Sequence, residues 1–431
     1  MKRAVSAIFV LLVLVGGSWV GVSYYAGGRA HTDIVLLVNQ APEQSPLRFT
    51  DLVHERGVLS SSGEVILHYP DPSASVQSRG DLFRMRVVYT IDHRAMLATV
   101  FKFSWNAQLM DEAAQTLQNV FSQNPLLSGQ GQLTWQGQAS SSYAVPALEA
   151  QEKGDSLRLG AITGYLSTLD RALSFDLAMP SLELITEGET LKLQDLRLTL
   201  DLTDRFAGAG SSTFGVEQLF FNAGSANGLL IKGQSTIDQG RLNIRSDWQV
   251  ASLTAYGQKV SDVAIKLAIN DLDNRSVTAL SNVLNLAGNT DNLNPAQQVI
   301  VRSAVRDLIL QGFSVGVPSV FARSGQATLE GDVVLRVKPS PTSFGLASTR
   351  FDVAKTLSSE GKLLLKGQGI PVPVTAAGVL IGILQQTNNG FESSYQFRGG
   401  RLSVNGQTLY IEDYLPIINE AVSELIKPVG H

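Results

Sequence analysis

The chain has 431 residues, 34 Lys and Arg against 38 Asp and Glu (net charge −4), 44% hydrophobic residues, 17% charged residues and no cysteine. This balance lacks the clustered basicity that a nucleic-acid backbone demands. The missing thiols exclude a disulfide framework, thiolate metal centres and a cysteine nucleophile, and the chain is too apolar to stay disordered.

Lys2 and Arg3 lead into an uncharged run from Ala4 to Gly28. A helix of roughly 20 residues crosses a bilayer core, so the run is long enough to span. Trp19, Tyr24 and Tyr25 stand near its far end, where aromatic rings favour the membrane interface, and the leading cations favour an inside amino terminus. A competing reading is a cleaved signal peptide ending at Ser23, with small Gly21 and Ser23 at the cleavage positions. Either way the rest of the chain is expected outside the cytoplasm. The retained reading is a single-pass anchor in a bacterial inner membrane with the body in the periplasm, where absence of cysteine is tolerated.

From about residue 47 onward, period-two alternation predicts half-buried antiparallel strands. It is plain in Glu64–Tyr69, Phe83–Tyr89, Leu191–Leu200, Val263–Ile269 and Val333–Val337. A recurring phrase, a glycine, a polar residue and then alternation, starts at Gly131, Gly240, Gly325, Gly361 and Gly400. Its spacing is irregular, which excludes a fixed-period solenoid and leaves repeated hairpin turns or divergent β units. The glycines are read as turn and strand-start residues.

Helical patterns interrupt the strands at Leu272–Leu286, at Gln297–Leu310 behind an Asn294-Pro295 start, and at Pro416–Ile426. A further helix is expected over Asp111–Phe121. The pair of helices around 272–311 would either cap a curved sheet or separate two sheet domains.

No stretch identifies a reaction. Gly312-Phe313-Ser314-Val315-Gly316 fits the spacing of a nucleophile elbow, yet the motif needs a strand before the serine and a helix after, and here the order is reversed. The histidines, His31, His54, His68, His93 and His431, include no pair at helical ligand spacing. His68 or His93 beside Glu64, Asp81 or Asp92 is the arrangement that would revive an enzyme. Asp271-Leu272-Asp273-Asn274 lacks the glycine and distal glutamate of a calcium loop and reads as a helix cap. No phosphate loop occurs. Accordingly no residue is assigned as catalytic, cofactor-binding or metal-ligating, and no cofactor is expected. Val374–Leu384 is too apolar for an exposed edge and too short to span a bilayer; it is expected to be a buried element or a wall of a lipid groove.

The Lys/Arg-led anchor, the long β-rich body and the phrase Phe397-Arg398-Gly399-Gly400-Arg401-Leu402-Ser403-Val404-Asn405-Gly406 together resemble the YdgA-like bacterial inner-membrane family, whose biochemical function is unknown. In overall plan the chain is also similar to AsmA-like proteins, and that resemblance implies repeated β units forming a groove that handles or shields phospholipid.

The expected fold is therefore mainly β, a β-rich α+β arrangement. It comprises elongated, curved antiparallel sheet with a few helical inserts and an amino-terminal transmembrane helix. The segments are an anchor over 1–28, β-rich regions over 29–270 and 313–410, a helical insert over 271–312, and an amphipathic helix and tail over 411–431. The expected function is non-enzymatic: binding or shielding lipid or another apolar envelope component. The alternatives are an envelope scaffold with a protein partner or as a homodimer, and, further off, a periplasmic hydrolase. Nucleic acid is not an expected partner.

Overall fold

The computed structural model describes residues 48–57, 59–70, 81–93, 99–110, 127–152, 155–186, 188–205, 207–287, 293–339, 352–368 and 378–426. The expected anchor over 1–28, the cleavage site and the helix at Asp111–Phe121 lie outside them. Among the described residues no helix is long and apolar enough to cross a membrane. The fold is mainly β, with 22 described strands, antiparallel in every described pairing, and few helices. The chain divides into two compact units, 1–201 and 202–431.

In the first unit β1 (Arg48–Arg56), β2 (Ser60–Pro70), β3 (Asp81–Asp92), β4 (Thr99–Leu109), β5 (Leu127–Thr134) and β6 (Ala139–Val145) pair in succession. β6 then pairs with β9 (Ile162–Leu169) and β9 with β10 (Ala172–Thr186). The short hairpin β7 (Leu148–Glu152) and β8 (Asp155–Leu159) attaches through β8 to the far end of β10. β11 (Glu189–Asp204) follows.

The second unit is a longer meander. β12 (Ala209–Phe221), β13 (Gly224–Asp238), β14 (Arg241–Ala255), β15 (Gln258–Asp273), β16 (Phe313–Ser324), β17 (Ala327–Val337) and β18 (Leu357–Lys366) pair in chain order. β18 pairs with β20 (Gly390–Arg398), whose other edge is shared by β19 (Gln385–Thr387) and β21 (Arg401–Val404), and β21 pairs with β22 (Gln407–Leu409). Turns at Gln239-Gly240, Tyr256-Gly257, Gly399-Gly400 and Asn405-Gly406 carry positive φ at both residues, the geometry that matches the twist of two-residue hairpins. Asp51 and Asp262 adopt positive φ where register slips in β1 and β15, so these bulges use a residue type that tolerates the left-handed region.

Helices α1 (Asn274–Ala287) and α2 (Pro295–Gln311) lie between β15 and β16 in the chain. They do not separate two sheets, because β15 and β16 remain direct partners. Asp273 caps α1, accepting from the Ser276 backbone N–H at 2.9 Å and from its hydroxyl at 2.6 Å. Asn294 and Gln297 form a reciprocal capping box on α2, which ends at Gly312 with φ 74°. A short helix α3 (Val353–Thr356) and the terminal helix α4 (Leu415–Ile426) complete the unit. Val353 is buried and packs against Ile309, Leu357, Phe397, Leu415 and Val422, so α2, α4 and the sheet share one small core. The Val353 N–H donates to Asn419 Oδ1 at 2.8 Å, which ties α4 to α3.

Sheet register sorts the side chains sharply, because successive residues of a strand face opposite sides. In the second unit one row across neighbouring strands reads Phe214, Ile231, Trp248, Ile265, Val320, Gly331, Leu363. A second row on the same face reads Ile244, Ile269, Val315, Leu335, Ser359, Phe397, Leu402, Leu409. The opposite face carries the ion pairs Arg323–Asp262, Arg336–Glu360, Lys366–Glu330 and Lys362–Glu392. These pairs are solvent-exposed and each adds little stability; they fix which face meets water.

In the first unit one face carries the row Gly63, Tyr89, Trp105, Gly129, Tyr143, Gly164, Leu177. The other face is polar: Thr90, Ser104, Gln130, Ser142, Tyr165 and Asp176 stand in one row, and the Glu64–Arg86 ion pair, Asp92 and Lys102 lie on the same face.

Candidate functional site: an apolar sheet face

Chemistry-bearing residues are scattered and satisfied locally. His54 Nδ1 lies 2.9 Å from the Tyr89 hydroxyl, with the two rings stacked, and His68 Nε2 lies 2.7 Å from Thr50 Oγ1. His93 Nε2 lies 3.0 Å from Ser61 Oγ, a serine–histidine contact that looks chemical until exposure is considered. His93 is 0% exposed and Ser61 3%, so neither meets solvent or a substrate. His31 and His431 lie outside the described residues. Among the described residues no group of three or more His, Asp or Glu is placed to hold a metal ion.

Ser314 opens β16 directly after the end of α2, so a helix precedes it and a strand follows, the reverse of an elbow. Its hydroxyl accepts from Asn270 Nδ2 at 3.3 Å on the neighbouring strand. Asp273 is occupied as a helix cap. Burial raises the hydroxyl pKa of Tyr89; burial, and then the nearby Asp176 charge, raises that of Tyr143. Both phenols are held neutral over a wide range.

Two sequence expectations are corrected by the fold. The described part of Val374–Leu384 is not buried: Leu380 is 88% exposed and Ile381 66%, and only Leu384 turns inward. Residues 378–380 are helical and turn through 381–383 into β19. Nor are the glycines only turn and strand-start residues. Gly131 and Gly361 sit within β5 and β18, as do Gly63, Gly129 and Gly164 within their strands. Each faces an aromatic residue directly across the ladder: Gly63 and Tyr89, Gly129 and Trp105, Gly131 and Phe103, Gly164 and Tyr143, Gly361 and Tyr395. The ring lies where a Cβ would stand, covering the glycine's bare backbone. The spacing Phe103-Ser104-Trp105 against Gly129-Gln130-Gly131 was the available signal, but it becomes readable only once the β4–β5 register is known.

The apolar face of the second unit contains a depression of about 390 Å³. Its walls are Ile265, Val317, Val320, Val333, Leu363 and Tyr395, and Gly331 and Gly361 form its floor. The floor is low because neither glycine admits a side chain: a Cβ on Gly361 would stand 2.6 Å from the Tyr395 ring, and one on Gly331 2.7 Å from the Lys362 carbonyl oxygen. The Tyr395 hydroxyl lies 3.0 Å from Ser359 Oγ, which turns the phenol's polar end away and leaves the ring as wall. Asp332 and Lys362 border the depression but belong by register to the opposite face. The chemistry available is dispersion and apolar burial, with no charged group aimed inward. In the first unit, by contrast, a depression of about 470 Å³ is lined by Asp92, Lys102, Ser104, Gln130, Ser142 and Tyr165, so charged and polar groups border it.

No curated protein and no solved structure matches the chain. The family match covers residues 1–368, so the phrase Phe397–Gly406 lies beyond it. By that match the chain belongs to the family described as bacterial protein of unknown function (DUF945).

Proposed function

We propose that this is a membrane-anchored, non-enzymatic protein of the bacterial cell envelope that holds lipid, or another apolar envelope component, against the apolar face of its second unit. The observation that carries this reading is the largely aliphatic and aromatic face, broken by the hydroxyls of Ser246, Ser359 and Ser393, with Trp248 42% exposed within it and a glycine-floored depression beside it. Apolar surface left in water costs about 25 cal/mol per Å², and a broad half-exposed apolar face on a soluble sheet marks a binding surface. An acyl chain matches such a face because it asks for no hydrogen bond. The uncharged run Ala4–Gly28 behind Lys2 and Arg3 supports an anchor with the body on the far side of the membrane.

The test is lipid extraction and mass spectrometry on the full chain purified from membranes in mild detergent. Leu363→Lys places a charge in the depression, whereas Gln396→Lys places one on the opposite face across from Glu360. Wild type and Gln396→Lys are expected to carry phospholipid, and Leu363→Lys several-fold less at equal thermal stability. Equal lipid on all three proteins would defeat the reading.

A further inference from the structure

We propose that the polar sheet face of the first unit is a binding trough for an uncharged oligosaccharide, with the Tyr165 ring as its stacking platform. Three depressions lie side by side on this face, of about 470, 430 and 660 Å³. The first two share Ser104, Gln130 and Ser142, the last two share Thr163, and Tyr165 borders the first and the third. Together they form one trough. Across β4, β5, β6, β9 and β10 its middle row is Ser104, Gln130, Ser142, Tyr165 and Asp176. The row on one side is Asn106, Ser128, Ala144, Thr163 and Ala178. The row on the other is Lys102, Gln132, Ser140, Ser167 and Ser174. No side chain in these three rows is aliphatic beyond alanine. Serine and alanine are short, so the backbone between the rows becomes the floor and the face is hollow.

A sheet face that only meets water is built differently in this same chain. The polar face of the second unit carries long charged side chains in the ion pairs Arg323–Asp262, Arg336–Glu360, Lys366–Glu330 and Lys362–Glu392. In the three rows of the first unit only Lys102 and Asp176 are charged. Hydroxyls and carboxamides dominate the rest. An acyl chain finds no apolar wall there, and a protein interface closes over an apolar centre that these rows lack. A polyanion needs clustered cations, whereas Lys102 and Arg197 border the trough together with Asp92, Asp176 and Asp195. The site is therefore matched to a neutral, polar ligand. Serine and threonine hydroxyls and asparagine and glutamine carboxamides both donate and accept hydrogen bonds, as each sugar hydroxyl does. Tyr165, 40% exposed, offers a flat apolar ring among them. The C–H face of a pyranose packs on such a ring while its edge hydroxyls reach the rows on either side. Five strands at a spacing of about 4.8 Å span roughly 19 Å, room for a short chain of pyranose rings. This site belongs to the first unit and does not rest on the lipid-holding reading of the second.

The test is isothermal titration of the full chain, in mild detergent, with two uncharged probes, chitohexaose and cellohexaose. At least one is expected to bind saturably. Ser142→Arg fills the middle row and is expected to weaken that binding about tenfold or more. Ser104→Lys, in the same row, takes its place should the arginine lower the melting temperature. Tyr165→Ala is expected to weaken binding several-fold, whereas Tyr165→Phe keeps the ring and binds as the wild type does. Leu363→Lys, on the apolar face of the second unit, should lose lipid and keep the sugar, which separates the two readings. No saturable binding of either probe would overturn the proposal. So would binding that the substitutions at positions 104, 142 and 165 leave untouched. Because the chain has no cysteine, Ser142→Cys reports on one further occupant: efficient disulfide-linked dimers under a mild oxidant would assign the trough to a second copy and overturn the glycan site.

Discussion

The indole of Trp105 on β4 covers Gly129 on β5, its direct partner across the ladder, so closely that a Cβ on the glycine would stand 2.6 Å from two ring atoms. Glycine in a strand interior ordinarily weakens it; here the missing side chain is the space the ring fills. The same pairing recurs with Tyr89 on Gly63 and Tyr143 on Gly164, in one row of the first unit's sheet.

Gly129→Ala is therefore expected to destabilise the first unit by about 1–3 kcal/mol through overpacking. In a Trp105→Ala background the same change should cost less, because the ring is gone and only the Ser142 carbonyl oxygen, 2.7 Å from the Cβ position, still obstructs it. A urea-unfolding double-mutant cycle measures the difference. Additive effects would show that the ring and the glycine do not depend on each other.

Asn405 fills the gap on β20 between β19 and β21, with φ 52° and bonds to three backbone groups through its side chain. Asn405→Gly keeps the permissive backbone and removes those bonds, so its effect isolates the side chain. Each lost hydrogen bond is worth about 0.5–1.5 kcal/mol. Amide exchange at Ile383 and Leu384 should accelerate while that of β14 and β15 stays unchanged.

Asn419→Ala removes the side-chain acceptor of the Val353 N–H, a half-buried contact between α4 and α3. Leaving a buried donor unsatisfied costs about 1–3 kcal/mol. Limited proteolysis should then release α4 before the sheet is cut, and Val353→Ala, which hollows the core that Leu415 and Val422 share, should do the same.

Tyr89 and Tyr143 lose protons at higher pH in the folded chain than their ordinary value of 10.0, chiefly because burial disfavours the phenolate. A folded pKa above the unfolded one gives stability that is fully present below about 10 and is lost as pH rises through the folded value. Phenolate absorbance should therefore lag behind free tyrosine on alkaline titration and then rise together with unfolding. Tyr89→Phe and Tyr143→Phe should each reduce the lagging amplitude. Phenolate that appears at the ordinary pH before any unfolding would contradict the assignment.

Much of the fold was legible locally. The alternation at Val263–Ile269 and Val333–Val337 reappears as β15 and β17, and the helix pair and terminal helix fall within two or three residues of their patterns. Alternation, capping and turn chemistry are properties of a few neighbouring residues, so a linear reading recovers them. Exposure of Val379–Ile383 was not legible, because hydrophobicity says that a residue prefers burial and not whether anything lies opposite to bury it. The composition in the same way announced a glycine-rich chain without saying why so many glycines lie inside strands.

The sequence by itself determined a charge-poor, cysteine-free, mainly β chain with a short list of helices and no assembled motif for a reaction. Only the tertiary structure decided which glycine lies under which ring and which strand faces join into one apolar surface. It also decided that His93 and Ser61 meet out of reach of solvent. The physical reason is register: in a meander of antiparallel strands a one-residue slip sends every side chain to the other face, and partners such as Gly361 and Tyr395, 34 residues apart, are chosen by the whole ladder and by no local rule.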